Sequence, residues 1–478
     1  MKFSGRAFDL AQLDAQLRLV LEGRGGTRGR AVIVTGRRRV GKSRLVQEFC
    51  DRSGLPYVVF QATRGRGPVA ERSDFAEAVA CSGLAGGELV RGTAPQDWNH
   101  ALRSLALAAG DESPCVVVLD EVPWLIEQDG EFEGALQTIW DRHLSARPIL
   151  LILVGSDLSV MESLQEYGRP FFGRAARMTL KPLGLHDVAD MTGLPAADAV
   201  DALLITGGLP EVVRSWERGL ARVDFLRDGL ASPLSALLAS GELSLLGEFP
   251  SATHARAVLE TIGAGERTFG AIAADVGGAT PLPSGTLAPI LTNLVARRVV
   301  AADLPLSDRP DTKNKRYRVA DHYLRFWLAF LRRAVADSER GRPDLALRRI
   351  ERSWTTWRGR AVEPLVRDCL ARMLPDDEWP DTEVVGGWWN RQNNPEIDLV
   401  GADREPVASR IHFVGSIKWL DARPFDRHDY DALVQGSAAV PGVTTDTPKV
   451  AVSRAGFEPG LPLAAAWTPE DLLAAWRH

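Results

Sequence analysis

A short segment framed by two glycines has the residue types and spacing of a phosphate-binding loop. Gly36 and Gly41 enclose four residues, and Lys42 and Ser43 follow directly. Glycines let backbone N–H groups converge on a phosphate, the lysine reaches its oxygens, and the serine hydroxyl binds Mg²⁺. An apolar strand precedes the loop and an amphipathic helix follows it, so the sequence predicts a nucleoside-triphosphate site. An ordinary glycine-rich turn is the alternative interpretation.

Two adjacent carboxylates end a second apolar run further along the chain. Asp120 and Glu121 directly follow Cys115–Leu119. We expect Asp120 to hold Mg²⁺ through water, and Glu121 to orient and deprotonate the water that attacks the nucleotide. Two neighbouring acids at a strand end are otherwise commonly a solvated turn, but the phosphate loop favours the catalytic interpretation.

Two further polar residues fit the same chemistry. Ser156 follows the apolar run Ile149–Gly155, where its hydroxyl would report the γ-phosphate; a helix N-cap is the alternative role. Arg174 follows Gly173, and its guanidinium would stabilise the charge that develops on a transferred phosphoryl group. An arginine paired with a surface carboxylate is the alternative interpretation of Arg174.

The elements around these residues predict an α/β protein. Apolar runs alternate with helical patterns over the first part of the chain, which is typical of a parallel sheet covered by helices. The runs are nearly all apolar because both faces of such a sheet are buried. They are Ala31–Thr35, Tyr57–Phe60, Cys115–Leu119, Ile149–Gly155 and Arg177–Leu180.

The sequence then changes character, which predicts four parts: a P-loop ATPase core over 1–182, a helical lid over 183–248, a winged helix-turn-helix over 249–320, and connector helices with an α/β domain over 321–478. The winged helix is predicted from three helices followed by a β-hairpin. The second strand of that hairpin begins near Lys315. The helices are Ala255–Ile262, Phe269–Val276 and Thr286–Arg297. The last part has strands near Glu383–Trp389, Ile397–Val400, Ile411–Val414 and Lys449–Val452.

The predicted wing is basic. Its side chains Lys313, Lys315 and Arg316 could follow DNA phosphates while helix Thr286–Arg297 enters a groove. That helix has few long polar side chains to read bases, and winged helices also dock proteins. DNA and a protein partner therefore both stay open.

Composition limits the function classes. A chain of 478 residues suggests about three domains. Its net charge of -5 excludes a uniformly basic nucleic-acid coat. Its four cysteines form no Cys-x-x-Cys pair, so neither a zinc ribbon nor a disulfide framework is expected. Without an apolar signal segment or a membrane span, we expect a cytoplasmic protein with no membrane partner.

The chain resembles the archaeal-type ATPase family, a STAND and AAA+-like branch of P-loop NTPases with a winged helix and a C-terminal domain. The motifs that carry this resemblance are Phe3-Ser-Gly5-Arg6, Gly36–Ser43, Asp120-Glu-Val-Pro-Trp124, Gly155-Ser156, Gly173-Arg174, Gly207-Gly-Leu-Pro210 and Tyr317-Arg-Val-Ala-Asp321-His-Tyr-Leu-Arg-Phe-Trp327. The resemblance implies ATP and Mg²⁺ as cofactors. The nucleotide-binding set that it implies is Gly5 and Arg6 near the adenine, Gly36, Arg37, Arg38, Arg39, Val40, Gly41, Lys42, Ser43 and Arg44 in the loop, and Pro210 in the lid.

The last part resembles the PD-(D/E)XK nuclease-like fold. Glu363, Asp398 and Lys418 are the counterparts of its metal-binding acids and its lysine. The pattern asks for an acid two residues before the lysine, where this chain has Ser416. A hydroxyl neutralises Mg²⁺ poorly, so we expect a degenerate binding or structural domain.

These observations lead to one main hypothesis, an ATP-hydrolysing switch that couples nucleotide state to engagement of DNA or a protein. An ATP-gated nuclease is one alternative, and a nucleotide-bound interaction module with negligible turnover is another. Because Arg174 could act within one chain or across a subunit boundary, an oligomer is possible.

Overall fold

The computed structural model describes residues 3–23, 28–248, 253–263, 265, 267–392 and 394–477. The chain divides into two compact units, Met1–Pro182 and Leu183–His478. The finer division into four parts stays a prediction. No helix in the described ranges has the length and apolar character needed to cross a membrane.

The first unit contains a five-stranded parallel sheet, so the predicted α/β fold class is confirmed. The order of its strands is β2-β3-β4-β1-β5. The strands are β1 (Arg30–Thr35), β2 (Tyr57–Gln61), β3 (Cys115–Asp120), β4 (Ile149–Val154) and β5 (Ala176–Thr179). Each of them nearly coincides with one predicted apolar run.

Helices cover both faces of this sheet. Along β1, Ala31 and Ile33 join one buried cluster, whereas Val32 and Val34 join another, as alternation along a strand requires. The helices are α1 (Ala7–Glu22), α2 (Lys42–Ser53), α3 (Pro68–Ala80), α4 (Trp98–Ala109), α5 (Val122–Gln128), α6 (Phe132–Ile139) and α7 (Leu158–Ser163). A 3₁₀ turn at Gly87–Val90 and a π-helical turn at Trp140–Leu144 complete the unit.

The strand order brings three chain segments to one edge of the sheet. Strand β4 lies between β1 and β3 and is parallel to both. The carboxyl ends of the three strands therefore meet at the same edge, where ligands of open α/β sheets bind. The segments that leave this edge are the phosphate loop after β1, the acid pair at the end of β3 and Ser156 after β4.

The second unit begins with five helices. Gly207 and Gly208 follow the second of them with φ of 58° and 68°. A Cβ on Gly207 would lie 2.5 Å from the Tyr323 backbone nitrogen, so the glycine permits a close approach of two segments. The helices are α8 (Leu185–Thr192), α9 (Ala196–Thr206), α10 (Pro210–Arg214), α11 (Arg222–Leu230) and α12 (Ala236–Glu248).

Three helices and a small antiparallel sheet follow, close to the predicted positions. The sheet has the order β6-β8-β7. Its short first strand did not stand out in the sequence because it spans only Arg267 and Thr268. The elements are α13 (Thr253–Gly263), β6 (Arg267–Thr268), α14 (Phe269–Gly277), α15 (Ser284–Ala296), β7 (Val300–Asp303) and β8 (Arg316–Val319).

The last part of the chain is a helix-rich connector and a second five-stranded sheet, of order β13-β12-β11-β10-β9. Strands β9 to β11 are antiparallel to their neighbours, and β11 to β13 are parallel. The elements are α16 (His322–Phe326), a π-helical turn (Trp327–Leu331), α17 (Arg332–Glu339), α18 (Pro343–Met373), β9 (Val384–Trp389), β10 (Glu396–Ala402), β11 (Ile411–Lys418), α19 (Arg427–Ser437), β12 (Lys449–Ser453), β13 (Ala465–Trp467) and α20 (Pro469–Ala474).

A buried ion network ties this sheet to α9 and α18. Arg358 is 1% exposed, and one of its nitrogens donates to Asp201 and to Asp421, each at 2.8 Å. Its other terminal nitrogen donates to the Trp419 carbonyl at 3.2 Å. Because a buried charge that loses its partner is left unsolvated, breaking such a network costs about 3–5 kcal/mol.

Candidate nucleotide site

A cavity of about 250 Å³ opens at the carboxyl edge of the first sheet. It brings together residues from the phosphate loop, from the acid pair and from the end of β4. The lining residues are Arg38, Arg39, Gly41, Lys42, Ser43, Arg44, Glu121, Trp124 and Ser156. Half of the residues predicted from the sequence to act on a triphosphate therefore line one cavity.

Two glycines shape the loop. Gly36 and Gly41 have φ of 150° and 92°, which non-glycine residues rarely adopt. A Cβ on Gly36 would lie 2.5 Å from the Leu180 carbonyl oxygen. The Lys42 ammonium folds back over this loop and donates to the carbonyls of Gly36 and Arg37, at 2.7 and 3.0 Å. The backbone thus holds the lysine at the cavity wall.

Ser43 and Asp120 can supply the magnesium ligands. Asp120 is 4% exposed, and its Oδ1 accepts the Glu121 N–H at 2.8 Å. Within the described residues, neither the Ser43 hydroxyl nor Asp120 Oδ2 has a hydrogen-bond partner. Mg²⁺ prefers a few oxygen ligands with water in the remaining positions, so these two groups fit the ion.

Glu121 is held in an unusual backbone conformation. Its φ is 56°, in the left-handed region. This conformation costs a non-glycine residue about 1–2 kcal/mol. The Ser156 hydroxyl donates to both carboxylate oxygens of Glu121, at 3.0 and 2.9 Å. Ser156 therefore positions the carboxylate proposed as the base.

The helix-cap alternative for Ser156 is wrong. The N-cap of helix α7 is the next residue, Asp157, whose carboxylate accepts the Val160 N–H at 3.2 Å. Since Asp157 satisfies that helix end, the Ser156 hydroxyl is available to Glu121.

Arg174 lies away from the lining of the cavity and is fully engaged. Its guanidinium makes a bidentate pair with Asp141, at 2.8 and 2.7 Å. The third nitrogen donates to the carbonyls of Pro170 and Phe172, each at 3.0 Å. The surface ion pair considered as the alternative is thus what the structure contains, and the predicted phosphoryl contact would require breaking it.

Arg6 has a role that the sequence did not reveal. Its guanidinium is 6% exposed and donates to the Val40 carbonyl at 2.7 Å and to the Lys181 carbonyl at 2.6 Å. The side chain, also paired with Asp9, clamps the phosphate loop to the segment after β5. These bonds engage the Arg6 guanidinium with the protein, and the position of Arg6 near the adenine that the resemblance implied stays a prediction. Gly5 precedes it with φ of 75°, and its adenine contact stays a prediction.

The remaining predicted nucleotide contacts differ among themselves. Val40 is 1% exposed, so it offers a nucleotide only its backbone. Arg44 pairs with Glu48 at 3.4 Å. Pro210 is the first residue of α10 in the second unit, and its contact with nucleotide stays a prediction. Trp124 also lines the cavity, although the sequence did not single it out as a site residue. Its place one helical turn after Asp120 and Glu121 was a signal that it lies near the site.

The carboxylates of the C-terminal sheet are paired within the protein. Asp398 Oδ2 accepts the Ser416 hydroxyl at 2.9 Å and the Ile417 N–H at 2.8 Å. Burial raises the pKa of Asp398. Glu363 accepts a hydrogen bond from Arg367 at 3.1 Å.

Lys418 is also paired. Its ammonium donates to Asp429 Oδ1 at 2.6 Å. Among the described residues there is no group of three or more histidine, cysteine, aspartate or glutamate side chains that could hold a metal ion. The residues of the predicted nuclease constellation therefore all have hydrogen-bond or ion-pair partners within the protein.

The segment predicted to be the wing packs on β9, which changes the role of Arg316. Arg316 is 8% exposed, lies 4.2 Å from the Trp389 ring centroid and pairs with Glu396. The Trp389 indole N–H donates to the Asn314 carbonyl at 2.8 Å. Arg316 is thus buried against Trp389 of β9 and Glu396 of β10 and cannot follow DNA phosphates in this conformation. Lys313 is exposed and Lys315 half-buried, so these two remain candidates.

Comparisons with known proteins place the C-terminal part in an archaeal and bacterial context. Residues 327–429 match DUF234, a family described as archaeal and bacterial proteins of unknown function. The expected family resemblance is confirmed. A curated relative, an uncharacterized protein of Methanocaldococcus jannaschii, is 23% identical over 402 residues, which cover 83% of this chain and 84% of the relative.

Two solved structures are similar in fold. A Walker-type ATPase of Pyrococcus abyssi is 18% identical with a TM-score of 0.48, over 68% of this chain and 96% of that one. The ORC2 protein of Aeropyrum pernix, in ADPNP and ADP complexes, is 14% identical with a TM-score of 0.48, over 70% of this chain and 94% of that one. At these values the likeness carries no functional argument, which rests instead on the residues of the cavity.

Proposed function

We propose that this protein is an ATPase whose nucleotide state controls how its second unit engages DNA. The observation that carries the proposal is the convergence of Lys42, Ser43, Glu121 and Ser156 on one cavity, with Asp120 beside it. This set contains a cation that can bind phosphate, two magnesium ligands, a general base and a residue that orients this base.

The proposed chemistry assigns one task to each group. Bound Mg²⁺ would neutralise phosphate oxygens, and Ser43 and Asp120 would hold it. Lys42 binds phosphate oxygens, and Glu121 takes a proton from the attacking water. Ser156 fixes the Glu121 carboxylate and, because it lies on the same cavity, links the position of the base to the presence of the terminal phosphate.

We propose that the nucleobase of the bound nucleotide is adenine. The support is the family resemblance and the absence of the guanine-specifying sequence Asn-Lys-x-Asp from the chain. Competition of ATP and GTP for the same protein measures this preference directly. Equal affinity for the two nucleotides would contradict it.

Steady-state hydrolysis of ATP in Mg²⁺ tests the enzymatic part. We expect Lys42→Ala to abolish turnover by weakening phosphate binding. A matched control is Arg52→Ala, a change of a surface arginine on the same helix that pairs with Glu48. If wild type and Lys42→Ala release phosphate at equal rates, the ATPase proposal fails and a nucleotide-bound module becomes the better hypothesis.

DNA binding is proposed for the exposed part of the wing. Lysine–phosphate contacts release counterions, so affinity should fall steeply with salt. Replacing Lys313 and Lys315 together by alanine should reduce the salt slope by about two, since each phosphate contact contributes about one. Binding of the wild type that does not depend on salt would argue for a protein partner instead.

The nuclease alternative is not favoured. Glu363, Asp398 and Lys418 all have internal partners, and Ser416 occupies the place of an acid. We therefore propose a binding or structural role for the C-terminal sheet. Incubation of single-stranded and duplex DNA with Mg²⁺ or Mn²⁺ should give no products; products that disappear in Asp398→Ala would contradict this role.

A further inference from the structure

Arg38 is a cation of the phosphate loop that no described residue neutralises. It lines the cavity and its side chain is exposed. In the part of the chain that the structure describes, no hydrogen bond or ion pair joins its guanidinium to another residue. Arg44, which lines the same cavity, differs because it pairs with Glu48 on its own helix.

The acid that lines the same cavity does not use this charge. The two carboxylate oxygens of Glu121 accept the Ser156 hydroxyl. Lys42 adds a second positive charge at the cavity, and it donates to two backbone carbonyls that are neutral. The cavity has a volume of about 250 Å³. Four cationic side chains line this cavity, those of Arg38, Arg39, Lys42 and Arg44, and such a concentration of positive charge favours a polyanionic ligand.

The other candidate for phosphoryl contact is occupied. All three nitrogens of the Arg174 guanidinium donate, to the Asp141 carboxylate and to two backbone carbonyls. Releasing it would break four hydrogen bonds before any bond to phosphate formed. Arg38 has no such bonds to any described residue, so its guanidinium can turn to a ligand without breaking an internal hydrogen bond, at the cost of side-chain entropy and some hydration.

We propose that Arg38 binds the γ-phosphoryl group of ATP within the same chain and stabilises the charge that develops during hydrolysis. This inference rests on the ATPase activity proposed above. In the step, the water oxygen bonds to the γ-phosphorus, and the bond from that phosphorus to the bridging oxygen breaks with its electron pair left on ADP. Glu121 takes the proton of the water, and inorganic phosphate and ADP are released. Arg38 neutralises the γ-oxygens through its planar fork of donors.

Hydrolysis under single-turnover conditions and nucleotide binding test the role. Arg38→Ala should slow hydrolysis by about 10²-fold or more, the usual effect of removing one donor to a developing anion. Its affinity for ADP, which lacks the γ-phosphate, should stay within about threefold, which also shows that the variant is folded. Arg38→Lys should recover part of the rate, because it restores the charge but not the fork. Arg52→Ala serves as the matched surface control.

Arg174→Ala discriminates between the two arginines. We expect it to lose less activity than Arg38→Ala, because its guanidinium is bonded elsewhere. If Arg174→Ala instead loses more hydrolysis activity than Arg38→Ala, and Arg38→Ala hydrolyses ATP at the wild-type rate, the inference is overturned.

The binding data keep this inference separate from the ATPase proposal. If the wild type does not hydrolyse ATP, the ATPase proposal fails, but the affinity for a non-hydrolysable ATP analogue still reports the γ-phosphate contact. Arg38→Ala should then weaken binding of the analogue by about tenfold or more, the effect of losing one strong charge-assisted contact, and leave ADP binding unchanged. Equal effects on the analogue and on ADP would show that Arg38 does not contact the γ-phosphate.

Discussion

The two candidate sites of this chain contain similar residue types but treat their charges in opposite ways. At the phosphate loop, Lys42 donates to neutral carbonyls and Arg38 has no partner within the described residues. At the C-terminal sheet, Lys418 pairs with Asp429, and Glu363 pairs with Arg367. The first site keeps the Arg38 guanidinium available to a ligand within the described residues, whereas the charged side chains of the second site have internal partners.

This difference separates a site built for a ligand from one that stabilises a fold. A charge left without a counterion at a cavity, as that of Arg38 is within the described residues, lowers the stability of the empty protein and raises affinity for an oppositely charged ligand. Charges satisfied by neighbours give a little stability and leave nothing for a ligand to bind. The comparison predicts large effects on turnover at the first site and only stability effects at the second.

Among the changes that leave nucleotide binding intact, Glu121→Gln should have the largest effect. The amide keeps the shape of the side chain but cannot accept the proton of the attacking water, so turnover of ATP should fall by about 10²–10⁴-fold. ATP binding should be retained, because Lys42 and the loop backbone are unchanged. Phosphate release and binding of a fluorescent ATP analogue measure the two quantities.

Asp398→Asn is the matched change at the second site. It also converts an acid to its amide, and we expect ATP turnover within about twofold of wild type because the residue has no task in the chemistry. Equal losses in the two variants would remove the distinction between the sites.

Much of the first site could be predicted from the sequence because its chemistry depends on local spacing. The loop from Gly36 to Ser43 is contiguous, and Asp120 and Glu121 end an apolar strand. Parallel strands then bring their carboxyl ends together without further information. The five strands of the first sheet were predictable for the same reason, since buried strands are continuous apolar runs.

What could not be predicted depends on partners distant in sequence. Arg174 is engaged by Asp141 and Arg316 by Glu396, and no spacing rule connects these pairs. Arg6 clamps a loop 34 residues away through Val40. Side-chain pairing of this kind decides whether a basic residue serves a ligand or the fold, and it is visible only in three dimensions.

A smaller effect is expected for Ser416→Ala. The change removes one of the two donors to Asp398 Oδ2. A partly buried carboxylate is then less well satisfied, which costs about 1–2 kcal/mol. Urea unfolding followed by tryptophan fluorescence measures this loss, with Ser437→Ala as a control for removal of a helix-end hydroxyl bonded to a carbonyl. ATP turnover should not change. A gain of DNA cleavage in Ser416→Ala would contradict a purely structural role.

Asp398 should also give the protein a dependence of stability on pH. Burial raises its pKa in the folded state, so the folded protein binds this proton more tightly than the unfolded chain does. Stability therefore falls as pH rises from the ordinary aspartate value of about 3.9 up to the folded-state pKa. Asp398→Asn removes this pH-dependent loss of stability. The free energy of unfolding of the variant, relative to that of the wild type, should therefore increase between pH 4 and pH 8 in urea titrations. A constant difference across that range would show that the carboxylate is not held at a raised pKa.

The smallest effect should come from breaking the ion pair that occupies Arg174. The Arg174 side chain is 26% exposed and that of Asp141 is 43% exposed, so solvent screens the pair. Asp141→Asn should therefore lower the free energy of unfolding by less than about 1 kcal/mol. ATP turnover of the single chain should stay the same, because the phosphoryl contact belongs to Arg38. The most discriminating form of this experiment measures ATP turnover over a wide range of protein concentration. If Asp141→Asn hydrolyses ATP faster than wild type only at high concentration, the released Arg174 acts on the nucleotide of another copy, and the ion pair restrains a second cation rather than serving the fold alone.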